Sequence, residues 1–342
     1  MSAGGRPIVV YGAGAIGATV GGWLVAAGIP VTVVVRPARA RILNDQGLWL
    51  YQLGNEAARR RIPVHAVSEL SEVEDAETVL LAVKNYDLDQ AAREIKAGLK
   101  RQPVIVALQN GIDNQSILPS YFSKVVYGVI QYNAWRDADN VFGFQVPGPV
   151  VLGVLDKSLV AERNELAGLF AKAFRCGTEE RIADAARCKM LFNLAGSITT
   201  LVGLGVREID DIGALRQSVS HVFYEAMQIL MAAGVREVRL ARGGNWMTIR
   251  AMRFLPGWVT NRSFRKKLEN VRMSSMVQDV YVMKRGSTEL ESLNGYFIRL
   301  ADSVGLDAPY NRALYRIAKN WLGQADRRPM DETDLWARLQ AG

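Results

Sequence analysis

Lys189, Asn193 and Ser197 are spaced four residues apart in the segment Ala186-Arg187-Cys188-Lys189-Met190-Leu191-Phe192-Asn193-Leu194-Ala195-Gly196-Ser197. On a helix that spacing sets an ammonium, an amide and a hydroxyl along one face. Met190, Leu191, Phe192 and Leu194 flank them. A lysine beside apolar neighbours loses hydration, and its pKa falls towards a range useful for proton transfer. The same stripe also fits the solvated face of an amphipathic helix. A second polar cluster reads Ser274-Ser275-Met276-Val277-Gln278-Asp279, followed by Ser287-Thr288-Glu289-Leu290-Glu291. Thr288 and Glu291 have the spacing of a capping box, Thr at the N-cap and Glu at N3. Glu289 is then a spare carboxylate in the first helical turn, favoured by the dipole and able to face either a site or solvent.

A third set of chemically suggestive residues lies at the start of the chain. Gly12-Ala13-Gly14-Ala15-Ile16-Gly17 follows the apolar run Ile8-Val9-Val10-Tyr11. It opens into a helical pattern that ends at Gly28, before a second buried strand from Pro30 to Val35. In this βαβ setting the glycine pattern reads as a dinucleotide-binding turn, with the pyrophosphate on the helix N-terminus. A site preferring NAD places a carboxylate about 20 residues past the glycines. Here Arg36 stands at that point, followed by Pro37, Arg39 and Arg41. A guanidinium pairs with a 2′-phosphate, so the expected cofactor is NADP(H).

The elements that must position these groups follow from periodicity. Thr78 to Val83 and Val104 to Leu108 are continuous apolar runs, expected as buried parallel strands. Each ends in polar residues, Lys84-Asn85-Tyr86 and Gln109-Asn110-Gly111, at the carboxyl ends where open α/β sheets bind ligands. Leu88 to Leu99 is expected as an amphipathic helix, and Val125 to Ile130 and Val150 to Val154 as further strands of the layer. Leu48 to Tyr51 and Arg61 to Val67 suggest a short antiparallel excursion. Beyond residue 180 helical patterns take over, at Ile182 to Thr200, Leu215 to Ala233, Asn261 to Met283, Glu289 to Val304 and Tyr310 to Leu322. The expected fold is an α/β Rossmann-type dinucleotide-binding domain over residues 1–179 and an all-α domain over 180–342.

Bulk properties narrow the function classes. At 342 residues, two domains are expected. With 49% hydrophobic and 22% charged residues the chain has the composition of a globular protein, and no apolar run approaches bilayer length. Met1 to Arg6 leads straight into the first strand without the apolar core of a secretory signal, so a cytoplasmic location is expected. Two cysteines, Cys176 and Cys188, and two distant histidines, His65 and His221, make no metal-type cluster. The net charge of +8 suits anionic ligands. Acidic residues are interspersed with the basic ones and no nucleic-acid motif occurs, so neither nucleic acid nor a membrane is an expected partner.

These features together resemble the ketopantoate reductase (2-dehydropantoate 2-reductase) family from about Ile8 to about Leu322. The resemblance rests on Gly12 to Gly17, Arg36, Val83-Lys84, Gln109-Asn110-Gly111, Lys189 with Asn193, Ser274-Ser275-Met276 with Gln278-Asp279, and Thr288-Glu289 with Asn294-Gly295. It implies a C-terminal domain like that of 6-phosphogluconate dehydrogenase. It also implies NADPH-dependent reduction of a 2-oxo acid, ketopantoate to pantoate in pantothenate and coenzyme A biosynthesis, with a homodimer compatible. Lys189 would protonate the alkoxide and Glu289 would position the substrate's hydroxyl. Asn110, Asn193 and Ser275 would bind substrate oxygens, Lys84 would lie near the nicotinamide ribose, and Arg36 would take the 2′-phosphate. Ser197 stands where the family usually has a second asparagine, which points to a remodelled substrate pocket. The stretch from Ala241 to Arg272 is longer and more basic than usual. Two other readings remain: a reductase of another 2-oxo acid or an imine, and a non-catalytic NADP(H) sensor.

Overall fold

The β-branched run at the start forms the centre of a sheet. In the computed structural model, which describes residues 7–73, 76–241, 245–269, 274–284 and 288–342, the chain divides into two compact units between Ala186 and Arg187. The first unit contains β1 (Ile8–Tyr11), α1 (Ala15–Ala26), β2 (Val31–Val34), α2 (Pro37–Gln46), β3 (Leu48–Gln52), β4 (Arg60–Ile62), β5 (His65–Val67) and β6 (Thr78–Leu81). It continues through α3 (Leu88–Gly98), β7 (Val104–Ala107), α4 (Asp113–Ile117), β8 (Val125–Ile130), β9 (Ala134–Ala138), β10 (Val141–Phe144), β11 (Val150–Gly153), α5 (Val160–Ala171) and β12 (Cys176–Thr178). Eight strands make one sheet in the order β12-β11-β8-β7-β6-β1-β2-β5. Every neighbouring pair in it is parallel except β11 with β8. β1 lies between β2 and β6, so the connections leave it in opposite directions and a crevice opens at the carboxyl ends.

A second sheet, in the order β4-β3-β10-β9, covers the other side of α1. α1 is therefore apolar all round. A Cβ on Gly21 would come within 3.1 Å of Val10 in the main sheet. One on Gly22 would come within 2.7 Å of Leu48 in the small sheet. The single excursion expected from Arg61 to Val67 divides at Pro63, which has no N–H to give to a ladder. Before it β4 pairs antiparallel with β3; after it β5 pairs parallel with β2.

The second unit is helical. α6 (Ile182–Asn193) crosses into it, followed by α7 (Ala195–Val202), α8 (Ile212–Ala232), α9 (Trp246–Phe254), α10 (Gly257–Glu269) and α11 (Ser275–Val277). α12 (Tyr296–Ser303), α13 (Pro309–Leu322) and α14 (Glu332–Gln340) complete it. α8 is the central helix, and α7, α9, α10, α12, α13 and α14 all pack on it. Asp211 caps α8 by accepting the Ala214 N–H at 2.9 Å. Buried Glu225 on α8 accepts the backbone N–H groups of Tyr310 at 2.9 Å and Asn311 at 2.7 Å, which fixes the N-terminus of α13.

Three helical expectations change. The helix expected from Ile182 to Thr200 breaks at Leu194, between α6 and α7. The one expected from Asn261 to Met283 is not continuous. α10 ends at Glu269, residues 270–273 lie outside the described residues, and the chain then runs through α11 into a π-helical turn, Gln278–Val282. Both α9 and the terminal α14 went unpredicted. Among the described residues no helix is long and apolar enough to cross a membrane.

Candidate active site

In the first unit the candidate dinucleotide-binding residues lie on backbone at strand ends. The turn from Gly12 to Gly17 leaves β1 with Gly12 at φ +92°, a conformation side chains rarely adopt. Its Cβ would also lie 2.8 Å from Val83, at the end of β6. On Gly17 a Cβ would fall 2.1 Å from the Gly12 carbonyl oxygen, so the helix can turn this tightly only with glycine there. Above Gly14, by contrast, nothing lies within 4 Å of an added Cβ. Gly14 is the N-cap of α1 and supplies no side-chain cap to the first N–H groups of the helix. Ala13, Ala15 and Ile16 complete the cradle. These residues fit a dinucleotide pyrophosphate: space above the turn, uncapped donors and the positive end of the helix.

The neighbouring strand ends are tied to this turn. The Gln109 side chain donates to the Leu81 carbonyl at 2.7 Å, joining the ends of β7 and β6. Asn85 donates its amide to the Asn110 carbonyl, while its own Oδ1 is buried without a partner among the described residues. Lys84 and Asn110, both half-buried, therefore flank one loop pair in this unit. Arg36 is exposed at the N-cap of α2. Sequence reasoning missed the role of Arg39, one helical turn on. Its guanidinium donates to the Ala13 carbonyl of the glycine turn and, at 2.9 Å, to that of Asp139, and lies 5.4 Å from the centroid of the Phe142 ring. Burial, and then the nearby charge of Arg136, lower its pKa to about 10. The only sequence signal was Pro37, which starts α2 and turns Arg39 away from the course of Arg36.

In the second unit the candidate catalytic residues are side chains set in a largely buried helical core. Lys189 on α6 retains some accessible surface, yet its ammonium is packed closely enough that lost hydration lowers its pKa to about 8. The charge of Glu289, a buried residue, opposes that shift, so the structure brings Lys189 and Glu289 together electrostatically. Asn193 ends the same helix and is half-buried. Ser197 leaves the expected stripe because of the break at Leu194. It is buried on α7, and its hydroxyl donates to Oδ1 of Asn294 at 2.6 Å. The Asn294 amide nitrogen is buried with no partner among the described residues. Ser275 is exposed in the first turn of α11, and its neighbour Ser274 does the capping by accepting the Val277 N–H at 3.3 Å.

The capping box expected between Thr288 and Glu291 does not form. Thr288 accepts the Leu290 N–H at 3.4 Å, while Glu291 pairs with Arg299 and accepts the Tyr315 hydroxyl at 2.5 Å. Ser287 lies outside the described residues. Glu291 and Asn294 both fall in a π-helical turn, Glu291–Gly295, just after Glu289. The acidic group Asp210, Asp331 and Glu332 is drawn together around Arg207, which pairs with Asp210 at 3.2 Å and Glu332 at 2.7 Å.

Comparison with known proteins places the chain in a family. The family described as Ketopantoate reductase PanE/ApbA matches residues 8–157, and its C-terminal counterpart matches residues 181–321. The chain belongs to the ketopantoate reductase family. It is accordingly an oxidoreductase acting on a CH–OH group. The 2-dehydropantoate 2-reductases of Pyrococcus abyssi and Pyrococcus horikoshii are 25% and 27% identical to it, and each match covers 91% of this chain and 96% of theirs. A PanE/ApbA family ketopantoate reductase from Ralstonia eutropha JMP134 has a similar fold, with a TM-score of 0.74 and 23% identity over 98% of this chain and 100% of its own. A D-mandelate dehydrogenase solved with NADH and anilino(oxo)acetate is similar in fold to the same degree, with a TM-score of 0.74 and 19% identity over 97% of this chain and 99% of its own. The fold is thus one that other members and relatives share, while the lysine–glutamate pair and the glycine turn are read from this reductase's own residues.

Proposed function

We propose that this chain reduces a 2-oxo acid with NADPH, and that ketopantoate is the substrate. The observation that carries the proposal is the coupling of Lys189, with its pKa lowered to about 8, to buried Glu289. A cation poised near neutral pH beside a carboxylate suits proton delivery to an alkoxide. The dinucleotide, when bound, supplies the hydride. Lys189 gives its proton to the carbonyl oxygen as negative charge develops there, and Asn193 and Asn110 donate hydrogen bonds to substrate oxygens. Glu289 holds the substrate's hydroxyl and keeps Lys189 more protonated than burial alone would. Lys84 supports the nicotinamide ribose.

Arg36 supports the choice of NADPH, because an exposed guanidinium at the end of β2 is free to meet a 2′-phosphate where a carboxylate would repel one. Ser197 serves this site indirectly, by fixing Asn294 within the π-helical turn that follows Glu289. Ser275, exposed at the start of α11, is the peripheral member of the set. The likeness to D-mandelate dehydrogenase favours one competing reading, reduction of a different 2-oxo acid on the same fold. NADPH and NADH oxidation measured over a panel of 2-oxo acids that includes ketopantoate and benzoylformate tests both. Fastest turnover of ketopantoate with NADPH supports the proposal. Preference for benzoylformate replaces the substrate, and no turnover of any 2-oxo acid removes the catalytic reading.

A further inference from the structure

Between residues 245 and 268 the chain carries Arg250, Arg253, Arg262, Arg265, Lys266 and Lys267, and no aspartate or glutamate. These six cations make up most of its formal excess of +8. They lie on α9 and α10, both of which pack on α8. The inner faces are conventional, with Ile249, Thr260 and Phe264 buried. The outer faces are not. Trp258 is 84% exposed, Met247 73% and Phe254 62%, with Leu255 and Val259 also exposed. On α9 the outward stripe runs Met247, Arg250, Phe254; on α10 it runs Trp258, Arg262, Arg265 and Lys266.

The arrangement is built rather than loose. Arg216 of α8 donates to the Met252 carbonyl of α9 at 2.8 Å and to Asn261 of α10 at 2.7 Å, so one buried guanidinium clamps the two helices. Tyr224 holds the Phe254 ring edge-on, with centroids 5.0 Å apart, and Arg253 lies 5.2 Å from the same centroid.

We infer that the outer faces of α9 and α10 dock peripherally on an anionic lipid bilayer. Trp258, Phe254 and the aliphatic side chains enter the acyl boundary while the arginines and lysines meet headgroup phosphates and carboxylates. Tryptophan beside arginine and lysine on a helix that does not span is the chemistry of an interfacial contact. A second copy of this chain fits less well, because a two-fold contact through this face would set the same six cations against each other. Nucleic acid would use the cations and stack on Trp258, but Met247, Leu255 and Val259 would gain nothing from bases and phosphates. The sequence alone pointed away from a membrane. The inference departs from that expectation on the exposure of the aromatic and aliphatic side chains once the inner faces of α9 and α10 are packed on α8. The inference stands apart from the substrate assignment.

Cosedimentation of the full chain with phosphatidylcholine vesicles, with and without phosphatidylserine, tests it. Pelleting with the anionic vesicles only, and release by salt, is the expected result. Trp258→Ala with Phe254→Ala should weaken binding at least about tenfold with all charges kept. Arg262→Glu with Arg265→Glu should abolish it, with circular dichroism and melting temperature preserved in both variants. Three results would overturn the inference: no pelleting at low salt, binding by the aromatic double variant equal to that of the unaltered chain, or vesicle-free self-association that Trp258→Ala abolishes. Tighter binding to RNA or DNA than to anionic vesicles would reassign the surface.

Discussion

In the proposed function the glycine turn and the Lys189–Glu289 pair would act by opposite means. The turn acts through backbone. Gly12 and Gly17 are required by a positive φ and by atoms 2.8 Å and 2.1 Å from an absent Cβ, and the space above Gly14 is what remains for a ligand. The lysine acts through its surroundings, since its chemistry is ordinary until packing removes water and a carboxylate is set nearby. A backbone-encoded site tolerates almost no substitution but needs no special environment. A burial-encoded arrangement is created by residues far apart along the chain and depends on the packing around them.

The most severe break of that contrast is Lys189→Ala. Loss of a general acid should lower turnover about 10²- to 10⁴-fold. The change leaves the buried Glu289 carboxylate without its neighbouring cation, so a lower melting temperature is expected alongside the loss of turnover. Dinucleotide affinity, which rests on the other unit, should be unchanged. Steady-state kinetics with a cofactor titration and thermal melting check all three, and near-normal turnover would remove Lys189 from the mechanism.

Two alanines in the turn should then behave differently from each other. Gly17→Ala drives a methyl into the Gly12 carbonyl oxygen and should destabilise the chain by about 1–3 kcal/mol or more. Gly14→Ala meets no protein atom, so stability should change by less than about 1 kcal/mol. Its methyl should instead occupy the approach to the pyrophosphate and weaken dinucleotide binding about tenfold. Equal losses of stability in the two variants would mean that the space over Gly14 is not reserved for a ligand.

The same contrast explains what could be read from sequence. Gly12 to Gly17 between two apolar runs, and the polar residues after Thr78 to Val83 and Val104 to Leu108, are local patterns, and the central sheet follows from them. The small sheet was only half legible. β9 and β10 are short, carry charges such as Arg136 and Asp137, and shift register between Val141 and Phe142, so no clean alternation marks them. In the helical unit the spacing of Lys189 and Asn193 was local information too. The break at Leu194 was not, and it moved Ser197 from the expected stripe to a buried bond with Asn294. Arg39 shows the limit most plainly. Three arginines follow β2, and only the start of α2 at Pro37 decides which of them reaches the glycine turn.

Arg36, exposed at the N-cap of α2, would be a side chain serving the backbone-encoded site. Arg36→Ala should weaken NADPH binding about tenfold or more, the worth of a charge-assisted hydrogen bond, and leave NADH nearly unaffected. The ratio of the two dissociation constants is the measurement. Equal weakening would shift the 2′-phosphate contact elsewhere, with Arg39 the nearest alternative on α2.

The smallest expected effect probes the lysine's surroundings directly. Glu289 raises the pKa of Lys189 against the larger lowering by burial. In the proposed mechanism reduction needs the protonated ammonium, so turnover should be full below a limb near pH 8 and fall above it. Glu289→Gln keeps the shape and hydrogen-bonding capacity but removes the charge, leaving burial unopposed. The limb should therefore move to lower pH, and activity at pH 8 should drop by more than activity at pH 6. If the limb stays in place, the two groups are not coupled, and the role of Glu289 reduces to holding the substrate. If it moves upward, the sign of the coupling is wrong and the alkaline limb belongs to another group.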